Sequence, residues 1–84
     1  MNPFWPEGRD ISVQTNREEP IALKWEQTEY RVRDMSARWR IHTGWWAGEE
    51  VWRDYWQVTT DTGLLCVLFH DLLRGTWHLE RIYE

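Results

Sequence analysis

The stretch Val51-Trp52-Arg53-Asp54-Tyr55-Trp56-Gln57-Val58-Thr59-Thr60, then Asp61-Thr62-Gly63, then Leu64-Leu65-Cys66-Val67-Leu68-Phe69-His70 decides the fold. Its first part alternates, with Trp52, Trp56 and Val58 on even positions. Successive strand residues point to opposite faces, so this period of two marks a half-buried strand. Asp61-Thr62-Gly63 reads as a hairpin turn, with Gly63 free to take the left-handed position. Leu64 to His70 is apolar on both parities, which places it as a central strand covered on both faces.

Working outward, the same period persists. Ile11, Val13 and Thr15 alternate with Ser12 and Gln14. Asn16 to Pro20 is a turn. Ile21, Leu23 and Trp25 alternate with Ala22, Lys24 and Glu26, which predicts that the first three face inward. Tyr30 and Val32 alternate with Glu29, Arg31 and Arg33, after a connection at Glu26-Gln27-Thr28 that suits a hairpin but lacks glycine. Met35, Trp39 and Ile41 leave the parity of Val32, so either a bulge or one helical turn lies near Met35-Ser36. A bulged, bent continuation is the preferred reading. Thr43 to Gly48 reads as a loop between two glycines. Asp71 to Thr76 is a turn. Trp77 and Leu79 open a last strand, in which Ile82 breaks the alternation and implies a bulge near Arg81.

The expected fold is therefore all-β. A single small antiparallel meander of five to six strands curls into a half-open or SH3-like barrel, because a flat sheet this small would leave one apolar face wet. A flat sheet paired face to face in a dimer is the alternative. Residues 1–9 are expected to be a flexible N-terminus and residues 10–84 the single β domain.

Composition bounds function. Eighty-four residues allow one domain with a thin core. The longest apolar run, Leu64 to Phe69, is too short to span a bilayer as a helix. The opening residues show no basic stretch leading into an apolar one, so no signal peptide is expected. One cysteine, Cys66, excludes an intramolecular disulfide and suits a reducing cytoplasm. The net charge of −4 argues against a general nucleic-acid binder. Residues 21–46 nevertheless carry five bases against three acids, and residues 47–84 three bases against seven acids.

No catalytic motif appears. Cys66, His70 and His78 are the one soft-ligand set, but a structural zinc site wants four ligands at tighter spacing, so no metal and no cofactor are expected. Cys66 sits in an apolar run and reads as a small buried hydrophobe. The informative excess is eight tryptophans. Trp25, Trp56 and Trp77 fall on inward parities. Trp39, Trp45, Trp46 and Trp52 are surplus, and adjacent Trp45 and Trp46 cannot both point inward from one strand. Arg38, Arg40 and Arg53 flank them. Such a cluster reads as core overflow, as a protein-binding patch, since Trp and Arg dominate binding hot spots, or as a platform for single-stranded nucleic acid. The candidate binding residues are Arg38, Trp39, Arg40, Trp45, Trp46, Trp52 and Arg53.

Arg40-Ile41-His42-Thr43-Gly44-Trp45-Trp46 with Arg53-Asp54-Tyr55-Trp56-Gln57-Val58, then Phe69-His70-Asp71 and Gly75-Thr76-Trp77-His78-Leu79-Glu80, resembles the C-terminal segment of ImuB-type proteins. These are Y-family DNA polymerase homologues of bacterial induced mutagenesis. With Ile11 to Trp39 included, nearly the whole chain resembles a small bacterial family of unknown function that also occurs free-standing. The resemblance implies a catalytically silent module whose protein partner belongs to an error-prone DNA synthesis complex. The chain carries neither the polymerase domains nor a clamp-binding peptide. The expectation is a non-enzymatic protein-interaction module linked to bacterial DNA damage tolerance. The alternative is a single-stranded nucleic-acid-binding module, and a homodimer through the Trp patch is a further option.

Overall fold

The computed structural model describes residues 3–44, 46 and 48–83. Seven antiparallel strands form one curled, half-barrel sheet: β1 (Phe4–Asp10), β2 (Ser12–Asn16), β3 (Glu19–Trp25), β4 (Thr28–Thr43), β5 (Val51–Thr60), β6 (Leu65–Asp71) and β7 (Thr76–Tyr83). Their order across the sheet is β1-β7-β6-β5-β4-β3-β2. The expected meander is present from β2 to β7. The strand count exceeds the expected five to six because residues 4–9, expected to be flexible, belong to β1, which pairs with β7.

β1 and β2 are separated by Ile11 alone, yet they sit on opposite edges of the sheet. β1 pairs with β7 and β2 with β3. The Ile11 amide donates to the Trp77 carbonyl at 3.3 Å. One continuous segment thus changes partner midway and draws the two edges together, which curls the sheet. The concave face holds the main core: Leu23, Trp56, Val58, Cys66, Leu68, Leu79 and Ile82. Tyr55, Val67 and Phe69 form a smaller cluster on the convex face, with Tyr83 against it. Burial on both faces explains the unbroken apolar run of β6.

The sequence irregularities are bulges. Pairing of β4 with β5 slips between Val32 and Asp34 and again between Met35 and Ala37. Pairing of β6 with β7 slips where Val67 faces Arg81 and Leu68 faces Leu79. Each extra residue resets which parity faces the core. Ile21 departs from its expected inward position and is exposed, while Ala22 and Leu23 are both buried. The β2–β3 ladder shifts register between Gln14 and Thr15, opposite this point.

The turns are locally satisfied. Thr60 Oγ1 accepts from the Leu64 amide at 3.1 Å. Asp71 Oδ1 accepts from the amides of Leu73 and Arg74 at 3.0 and 3.2 Å. The two-residue hairpins at Arg17-Glu18 and Glu26-Gln27 place four non-glycine residues at positive φ, between 50° and 70°. That conformation suits the twist of a hairpin but costs roughly 1–2 kcal/mol per ordinary L-residue. Replacing Glu26-Gln27 by Asn-Gly is therefore expected to stabilise the fold by about 1 kcal/mol, raising Tm by about 4–8 °C. Thermal unfolding followed by circular dichroism checks this, and an unchanged or lowered Tm would show that the present turn carries no strain.

Candidate functional site

β4 and β5 carry most of the candidate residues. Their unbroken ladder from Ala37 opposite Gln57 to Thr43 opposite Val51 fixes where each side chain points. Alternation divides the sequence cluster between two faces. Arg38, Arg40 and Trp52 lie on the concave side, in line with core residue Trp56. Trp39 and Arg53 lie on the convex side, in line with Tyr55. Trp46 is 70% exposed in the β4–β5 loop. Trp45 lies outside the described residues.

On the concave side the organising group is Asp54, buried on the parity of Trp56 and Val58. Arg40 grips it with two bonds, Nε to Oδ1 at 2.5 Å and Nη2 to Oδ2 at 3.0 Å. Arg38 Nη2 stands 3.7 Å from the same carboxylate, and its guanidinium lies over the Trp56 ring at 4.9 Å. The hydrogen bonds from Arg40 hold the Asp54 carboxyl below its usual range, against the opposing effect of burial. Beyond this pair His42 stacks on Trp52 at 4.8 Å and meets Glu50 at 2.5 Å. A cavity of about 230 Å³ opens beside Arg40 and Asp54, lined also by Thr15, Glu18, His70 and Trp77.

The linkage sign follows from the direction of that shift. Folded Asp54 binds its proton less readily than the unfolded chain does, so the pair stabilises the fold above about pH 4. This contribution is lost as pH falls through the lower, folded value. Asp54→Asn is expected to flatten the acid limb of stability between about pH 5 and pH 2, measured as urea midpoints. Arg40→Gln is expected to destabilise more at neutral pH, because it strands a buried carboxylate, whereas Asp54→Asn releases a solvated guanidinium. An unaltered acid limb in Asp54→Asn would remove the pair from the stability account.

On the convex side a row of rings crosses four strands. Trp39 stacks on Tyr55 (5.3 Å, 3° between planes), Tyr55 packs on Phe69 (5.2 Å), and Phe69 on His78 (4.9 Å). Arg53 lies over Phe69 at 4.3 Å and donates to Tyr55 Oη at 3.2 Å. β1 covers part of this row: Arg53 also donates to the Pro6 carbonyl at 3.4 Å and reaches Glu7 at 3.7 Å. Tyr55 and Phe69 are consequently buried, and Trp39, 38% exposed, is the open end of the row. Ile41 (36%), on the same parity as Trp39, extends the exposed apolar surface along β4.

β4 has a second property. β3 pairs with it only from Thr28 to Arg31, and among the described residues no strand pairs with its outer edge beyond Met35. The edge from Ala37 to Thr43 is regular and, apart from Ala37, exposed. Sequence reading missed this edge because strand order is not written in local periodicity. It missed Asp54 as well, although an acid sharing parity with Trp52, Trp56 and Val58 signals a buried carboxylate that needs a cation.

The remaining tryptophans serve the core. Trp56 lies within it, and Trp5, Trp25 and Trp77 pack against it. Cys66 and His70 share the concave face, whereas His78 is in the convex row. Burial pushes the Cys66 thiol up to about 12. Among the described residues no helix is long and apolar enough to cross a membrane. Set against protein-family models, curated proteins and solved structures, the chain matches none.

Proposed function

We propose that the protein is a non-enzymatic interaction module that takes up an extended segment of a partner protein as an added strand along the outer edge of β4. The carrying observation is that edge. Seven consecutive residues, Ala37 to Thr43, keep an unbroken ladder with β5 while their other side faces no strand among the described residues. A regular, exposed edge is a template for backbone hydrogen bonding by another chain. Trp39 and Ile41 supply exposed apolar contact beside it.

A nucleic-acid platform is less well supported. Trp39 and Trp52 of the expected platform project to opposite faces of the sheet, Trp52 is already stacked against His42, and Arg38 and Arg40 already share Asp54. The resemblance to the C-terminal segment of ImuB-type proteins supports a partner from an error-prone DNA synthesis complex and a role in the bacterial cytoplasm.

A displayed library of linear peptides selected on the full chain tests the mode. Selected peptides are expected to slow amide exchange from Ala37 to Thr43. A proline placed mid-peptide, which removes a ladder donor, is expected to weaken binding at least about tenfold. Binders that protect another surface and leave this edge unchanged would refute strand addition. Salt-sensitive quenching of tryptophan fluorescence by oligonucleotides would favour the nucleic-acid reading instead.

A further inference from the structure

We infer that the segment accepted by this edge alternates acidic and apolar residues, with its acidic side chains on the concave side; the inference rests on the strand-addition reading. Directly opposed residues of neighbouring strands project to the same face with Cβ atoms about 4.5–5.5 Å apart. A strand laid along Ala37 to Thr43 therefore sets one parity of its side chains beside Arg38, Arg40 and His42. The other parity falls beside Trp39 and Ile41.

On the concave side the edge segment itself is basic, and its counter-charges, Asp54 and Glu18, come from β5 and the β2–β3 turn. Two guanidinium groups, from Arg38 and Arg40, share one buried carboxylate, Asp54. Residues 37–43 contain two arginines and no acid. Arg40 spends Nε and Nη2 on Asp54, which leaves its other N–H groups as donors, and it is half exposed. The nearby acids are accounted for: Glu50 is engaged with His42, and Glu18 sits in the β2–β3 turn, near enough to act on Arg40 through space. A carboxylate on the added strand would give Arg38 a partner of its own. The convex side offers an indole face and an isoleucine, which favour apolar neighbours.

A second copy of this chain is a poorer occupant. Face-for-face antiparallel pairing of two β4 edges would set the Arg38 and Arg40 stripe of one copy beside the same stripe of the other. Like charges directly across a sheet are destabilising.

Three soluble peptides test the inference on the full chain. Each has a Gly/Ser-flanked core of Val-X-Val-X-Val, with X as Glu, Gln or Lys. The Glu peptide is expected to bind about tenfold more tightly than the Gln peptide and the Lys peptide most weakly, with the gap shrinking as salt rises from about 0.05 to about 0.5 M. Arg38→Gln, which leaves the Arg40–Asp54 bonds in place, should narrow the Glu-over-Gln preference. Glu18→Gln should widen it. If all three peptides bind equally while protecting the amides of Ala37 to Thr43, the acidic preference is wrong and strand addition stands. If none protects that edge, both readings fall. Concentration-dependent dimerisation that protects the same amides would assign the edge to a second copy and overturn the proposal.

Discussion

Trp56→Ala is expected to remove most of the stability of this domain. Trp56 is 1% exposed and is the largest fully buried side chain of the concave core. It faces Leu68 across the ladder, packs tilted against Trp77 at 5.0 Å, and carries Arg38 over its ring. Truncating a buried Trp to Ala typically costs about 3–5 kcal/mol, through lost transfer energy and the cavity left behind. Single domains hold roughly 0.05–0.15 kcal/mol per residue, so a chain this short has little reserve. The variant should be largely unfolded at 37 °C, and its urea midpoint should fall well below that of the parent. A midpoint within error of the parent would mean that the indole is not part of the core. Trp46→Ala, at an exposed position, is the comparison and should move the midpoint little.

The second large effect is expected at Gly8. Its φ is +79°, and a Cβ added there would lie 2.5 Å from His78 Cβ and 2.8 Å from two atoms of the Phe69 ring. Neither neighbour can yield easily. His78 Cβ is fixed to the β7 backbone, and the Phe69 ring is held between Tyr55 and His78 beneath Arg53. Gly8→Ala combines left-handed strain of roughly 1–2 kcal/mol with overpacking of roughly 1–3 kcal/mol. The expected outcome is that β1 detaches from β7, seen as faster amide exchange in Phe4–Asp10 together with a lowered urea midpoint. Gly48→Ala has a similar φ but meets nothing within 4 Å, so it isolates the strain component. Equal losses in the two variants would show that the close approach at Gly8 contributes nothing.

Much of the chain was legible from periodicity. Trp52, Trp56 and Val58 on alternate positions of Val51–Thr60 and the two-sided apolar run from Leu64 to His70 marked β5 and β6 and made β6 central. Parity breaks at Met35-Ser36 and Ile82 marked bulges, and the structure has register shifts in both places. Ile21 was misjudged because alternation was extended to the start of a strand whose ladder slips beside it. The site was half legible. A surplus of indoles over core capacity is a matter of counting, and Trp39 and Trp46 are indeed exposed. That Arg38 and Arg40 point away from Trp39 followed from the same alternation, yet their proximity in sequence made one patch of what are two faces.

The sequence by itself determined β2 to β7, the turns between them and the excess of tryptophan, because a period of two and short polar breaks are local properties of the chain. Tertiary structure alone decided that β1 and β2 flank opposite edges, that Asp54 is clasped by Arg40, and that among the described residues no strand pairs with the outer edge of β4 beyond Met35. These depend on which distant strands become neighbours. Alternation assigns a residue to a face, but only the assembled sheet determines what covers that face and where a ladder stops.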